Sequence, residues 1–124
     1  MWIRGALLAV GFALAMVAPA TTAQAQQLTF AMTNDSGQDI QIEFYSEDRN
    51  HAWPGGNQAY NLARARDNNW TLNCRRGEKV CYGAWVKGNS TTYWGVGPNR
   101  KHSCQTCCFT CDGGTARRTL TPPR

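Results

Sequence analysis

Six cysteines, all between positions 74 and 111, sit in a chain with too few aliphatic side chains to build a large core. From position 26 onward there are ten Leu, Ile, Val and Met residues, against eleven aromatics. A domain of that size buries little apolar area relative to the entropy of ordering its chain, so crosslinks carry much of its stability. An even set of cysteines in an exported chain points to disulfides.

Export is predicted from residues 1–25, which have the pattern of a removable signal. Arg4 provides a short basic start, an apolar run follows from Ala6 to Ala18, and Ala23-Gln24-Ala25 offers a small-residue cleavage site. Pro19 interrupts the run, which is too short and too rich in alanine for a membrane span. The expected product is a bacterial protein of the periplasm or medium. It comprises a single β domain over 26–121 and a loose tail at 122–124. That length excludes a multidomain enzyme, a full dinucleotide-binding fold and a P-loop ATPase.

Alternation with period two dominates, and no helical stripe is present. Leu28, Phe30 and Met32 alternate with polar or small residues, as do Ile40, Ile42 and Phe44. The turn-forming Asn34-Asp35-Ser36-Gly37 between them predicts a first hairpin. Ser46–Asn57 reads as a polar loop, and further strands are expected at Ala59–Leu62, Thr91–Val96 and Ala116–Thr121. One helical turn is allowed within Ala63–Asn69. Placing Gly77-Glu78 at a two-residue tip predicts a second hairpin, pairing Cys74 with Cys81, Leu72 with Gly83 and Trp70 with Trp85. The fold class is therefore all-β, a small disulfide-stapled antiparallel β-sandwich or partly open barrel of six or seven short strands.

The cysteine-rich segment His102-Ser-Cys104-Gln-Thr-Cys107-Cys108-Phe-Thr-Cys111 admits three chemistries. In an oxidising compartment, disulfides are preferred. Adjacent Cys107 and Cys108 then bond to different segments; the preferred pairing is Cys74 with Cys81, with a bond from one of these two to the C-terminal cluster as the alternative. The alternative is a metal-binding or thiol-redox module. His102, Cys104, Cys107, Cys108 and Cys111 would be ligands, or a Cys-x-x-Cys pair would exchange electrons beside Arg100 and Lys101. Against these stand the missing second ligand knuckle and the lack of βαβ surroundings.

Nothing in the sequence marks a catalytic residue or calls for a cofactor. His51 lies in a polar loop, and Ser46, Ser90 and Ser103 occupy no nucleophile-elbow context. The remaining functional lead is a set of aromatic and basic side chains. Trp53, Tyr93, Trp94, Arg100 and Lys101 are candidates for surface binding, unless the aromatics replace the missing aliphatics in the core. Residues 26–60 carry a net charge of −4 and residues 61–124 one of +8, but the bases are dispersed. That disfavours nucleic acid and leaves a protein or an anionic envelope glycan as partner. The expected role is non-enzymatic binding.

Overall fold

The computed structural model describes Gly11 and residues 25–123. The predicted signal falls outside the described residues, apart from Gly11 and Ala25. Nine strands follow: β1 (Ala25–Asn34), β2 (Ile40–Ser46), β3 (Ala52–Trp53), β4 (Tyr60–Leu62), β5 (Asp67–Arg75), β6 (Lys79–Val86), β7 (Asn89–Gly95), β8 (Cys108–Thr110) and β9 (Thr115–Leu120). The two beyond the expected number, β3 and β8, are short pieces inside the polar loop and the cysteine segment. No helical turn forms at 63–69; Arg64 and Ala65 make a tight turn and β5 begins at Asp67.

The strands form two sheets that face each other and do not close into a barrel. Sheet A has the order β5-β1-β9. Its β1–β5 pair is antiparallel, but β1 and β9 run parallel, so the sandwich is mixed. Sheet B is centred on the antiparallel pair β2–β6. Two short strands share each outer edge: β3 and β4 along β2, and β7 and β8 along β6.

Both expected hairpins are corrected. β1 and β2 lie in opposite sheets, and so do β5 and β6. Each connection is an arch that crosses the sandwich. Period-two alternation reports that a strand is half-buried, but it is the same whether the neighbouring strand lies beside it or across the core. Phe30 and Phe44 make the distinction, because they stack face to face across the interior at 4.4 Å.

Polar groups specify both arches. Asn34 is fully buried; its Nδ2 donates to the carbonyls of Gln38 and Leu62, and its Oδ1 accepts from the Ser36 N–H and hydroxyl. At the second arch Glu78 is buried and accepts from the Ser46 hydroxyl at 2.6 Å and the Arg75 N–H at 2.9 Å. Arg49 clamps the same carboxylate through Nε and Nη2. The Gly77 N–H and the Glu78 carbonyl also bond to the Cys111 backbone. A two-residue hairpin tip would leave a glutamate solvated; here the turn lies against β2.

The core is aromatic where it lacks aliphatics. Phe44 contacts Tyr60 and Trp70, each at 6.0 Å between ring centroids, and Phe109 meets Phe30 edge-on at 5.6 Å. Trp70 therefore packs inside against Phe44 and Tyr60, while Trp85 lies on the outer face of sheet B, its indole N–H donating to Gln41. The expected Trp70–Trp85 pair does not form, because its two strands belong to different sheets.

All six cysteines are bridged: Cys74–Cys111, Cys81–Cys108 and Cys104–Cys107. The preferred Cys74–Cys81 bond is overturned, since Cys74 points into the core and Cys81 away from it. Cys107 and Cys108 do bond to different segments. Cys74–Cys111 ties sheet A to the end of β8, and Cys81–Cys108 joins directly opposed residues of β6 and β8. Among the described residues, no helix is long and apolar enough to cross a membrane.

Candidate groove on the outer face of sheet B

The outward positions of β2 are Gln41, Glu43 and Tyr45, continued by Glu47, and those of β6 include Cys81, Gly83 and Trp85. Residues Val96 to Cys107 fold back over this face. That explains why β6 is buried on both sides from Val80 to Val86 rather than alternately. Tyr45, Cys81 and Val96 form a second small core beneath the covering segment. Gly83 admits it: a Cβ at this position would collide with the Gly97 carbonyl. The Gly97 backbone fills the space above Gly83. Gly83→Ala should lower stability by about 1–3 kcal/mol, a typical cost of overpacking. An unchanged thermal midpoint would refute the close approach of Gly97.

The segment is held by specific contacts. Tyr93 and His102 stack at 3.6 Å with nearly parallel rings, and the His102 N–H donates to the Val96 carbonyl. Asn99 and Arg100 both adopt left-handed backbone, at φ 53° and 55°. This conformation turns the Asn99 N–H onto the Tyr45 hydroxyl at 3.0 Å and the Arg100 guanidinium onto the Ser46 carbonyl at 3.0 Å. Such strain persists only where surrounding contacts over-determine it, and it concentrates at binding and catalytic sites.

Two adjoining grooves open here, and Arg100 lines both. One, of about 540 Å³, lies between the covering segment and the His51–Asn57 loop, with Glu43 and Tyr45 on its wall. The other, of about 530 Å³, reaches Glu47, Lys79, His102 and Cys104. Burial raises the pKa of Glu43, partly offset by its hydrogen bond from Tyr45. Tyr45 is raised as well, first by burial and then by the Glu43 charge. The Tyr45 hydroxyl accepts from the Asn99 N–H on this wall.

Of the five surface-binding candidates Arg100 alone lines the grooves; Lys101 follows it in the chain, and Tyr93 stacks on His102, which lines the second groove. Tyr93 is 38% exposed. Trp53 stands behind the opposite wall, where its indole N–H donates to the Asn73 carbonyl and the His51 ring meets it edge-on at 4.5 Å. Trp94 turns to the inner side of β7 and donates to the Thr121 carbonyl at 2.7 Å, away from the groove.

The five alternative metal ligands are not brought together. Cys111 enters the core with Cys74, Cys108 joins Cys81, and only Cys104 and Cys107 remain a local pair beside His102. Glu47 Oε1 lies 3.1 Å from the Cys81 sulfur and 3.8 Å from that of Cys108. Because these sulfurs are bonded to each other, neither carries a proton or a thiolate charge, and the approach is a packing contact. Among the described residues no serine hydroxyl is hydrogen-bonded to a histidine side chain.

Sequence reasoning did not single out Glu43, Tyr45 or Asn99. Alternation placed the first two on an outer face, and only the covering segment turns that face into a groove wall. No family model, curated protein or solved structure matches the chain. The geometry defines a class: a disulfide-framed β-sandwich with a polar groove built on one outer face.

Proposed function

We propose that this domain is an exported, non-enzymatic binding protein of the periplasm or medium that holds an anionic envelope glycan in the groove of sheet B. The observation that carries this reading is the position of Arg100. Its guanidinium is anchored by one hydrogen bond to the Ser46 carbonyl and borders both lobes of the groove, so its remaining donors are available to a ligand carboxylate or phosphate.

The surroundings suit a hydroxyl-rich ligand. Asn50, Asn57 and Asn99 line one lobe with His51 and Glu43, and planar polar side chains of this kind pair with sugar hydroxyls. The Tyr93 ring, stacked on His102 beside one lobe and 38% exposed, offers its remaining surface for stacking.

Calorimetric titration of an oligomeric uronic acid tests the reading. The wild type should bind, more weakly at high salt. Arg100→Gln should weaken binding at least tenfold while the domain remains folded at the assay temperature, and Arg100→Lys should recover part of it. No binding by the wild type, or equal affinity in Arg100→Gln, would overturn this assignment.

A further inference from the structure

We propose that the Cys104–Cys107 disulfide is a thiol–disulfide exchange site that accepts electrons from a cysteine-bearing peptide, an activity separate from glycan binding. The first observation is redundancy. The segment closed by this bridge spans three residues and is already held on both sides. Cys108, next to Cys107, is bonded to Cys81 and paired with β6. The Thr106 carbonyl accepts from the Arg118 guanidinium at 3.1 Å, and the Asn99, Arg100 and His102 contacts fix the chain upstream. This bridge closes the shortest loop of the three, so it constrains the unfolded chain least, and an accessible bridge exchanges most readily.

The second observation is the unequal placement of the two sulfurs. Cys104 is half-buried and lines the 530 Å³ groove, whereas Cys107 is 3% exposed. Dithiol exchange uses this division. The exposed cysteine forms the mixed disulfide, and the sheltered one waits within reach to resolve it. Lys79 and Arg100 line the same groove and oppose Glu47, giving excess positive charge beside a Cys104 thiolate. Cys74–Cys111 contrasts with this bridge, since both its sulfurs are buried in the core; Cys81–Cys108 shares the division, with Cys108 half-buried on the same groove, but it joins directly opposed residues of two paired strands.

The step balances with a peptide dithiol as reductant. One peptide thiolate attacks Sγ of Cys104; the Cys104–Cys107 bond breaks, and its electron pair leaves on Sγ of Cys107, which takes a proton. The second peptide thiolate then attacks the peptide sulfur of the mixed disulfide, closing the peptide disulfide and releasing Cys104 as a thiolate that is protonated in turn. Two electrons and two protons pass to the protein.

The test equilibrates the oxidised full-length chain in graded glutathione buffers, quenches with an alkylating agent and maps the label by mass spectrometry. Cys104 and Cys107 should be labelled together under conditions that leave the other four cysteines bridged and the near-ultraviolet circular dichroism intact. Simultaneous opening of all three bridges, or opening of Cys104–Cys107 last, would overturn the proposal. A reduced synthetic dithiol peptide should be oxidised once per protein molecule, and the Cys104→Ser/Cys107→Ser double variant should fold but show no such burst. With a single-cysteine peptide activated as its aryl disulfide, Cys107→Ser should retain a stable peptide adduct at Cys104 as the aryl thiol leaves. A burst in the double variant, or no adduct in Cys107→Ser, would assign the chemistry elsewhere.

Discussion

Removing the Cys74–Cys111 bridge by replacing both residues with alanine is expected to destabilise the domain by about 4 kcal/mol, the largest effect of any bridge in the molecule. The bond closes a span of 37 residues, and constraining so long a loop removes more entropy from the unfolded chain than the three-residue span of Cys104–Cys107, worth about 2 kcal/mol. It also lies in the interior, with both sulfurs packed against the main core, so its loss removes contacts as well as a constraint. The affected region is the arch between β5 and β6, where the Cys111 backbone bonds to Gly77 and Glu78. Chemical denaturation at pH 7 measures the difference. A loss no greater than that caused by removing Cys104–Cys107 would refute the ranking.

Glu78→Gln should cost roughly 3 kcal/mol at neutral pH, and the difference from wild type should vanish in acid. Burial by itself favours the protonated form of Glu78, but the hydrogen bonds from Arg49, the Arg75 N–H and the Ser46 hydroxyl outweigh it and hold the pKa at about 2, down from 4.5. Because the folded-state value is depressed, the stabilisation is complete above about 4.5 and is lost as pH falls from there towards 2. A tenfold change in proton affinity between the folded and unfolded chain is worth about 1.4 kcal/mol. The acceptor side is almost fully enclosed while Arg49 is 27% exposed, which moderates the strength of the pair. Unfolding curves of wild type and Glu78→Gln should be well separated at pH 7 and converge near pH 2. A constant separation across that range would show that the effect is steric rather than electrostatic.

The strands and their inward faces were legible in the sequence. Leu28, Phe30, Met32, Ile40, Ile42 and Phe44, all assigned inward by alternation, are all buried. The partnerships were not legible, because a hairpin and an arch present the same pattern along the chain. What separates them here is the enclosed hydrogen-bond set of Asn34 at one arch and that of Glu78 at the other. Neither residue type advertises burial; a Glu among Arg75, Arg76 and Lys79 was the one local sign that a carboxylate there has basic company. The disulfide pairing followed from the same error, since Cys74 and Cys81 are opposed only if β5 and β6 share a sheet. The groove escaped notice for a different reason. Its floor is an ordinary outer sheet face until residues 96–107 cover it, and that covering depends on Gly83 and on two left-handed residues, Asn99 and Arg100. Arg100 itself was a surface candidate on charge alone, and the fold gives it a more particular place.

The position of β1 between β5 and β9 has a consequence for the order of assembly. The first strand has its full set of backbone partners only when the ninth arrives, so sheet A is complete only once nearly the whole described chain is available. Such distant pairing makes folding slow relative to helical domains of the same length, because long loops must close before their contacts form. A chain emerging segment by segment therefore lacks the second partner of β1 until β9 is made. The Cys74–Cys111 bond ties sheet A to the segment just before β9, so it too joins earlier chain to later chain.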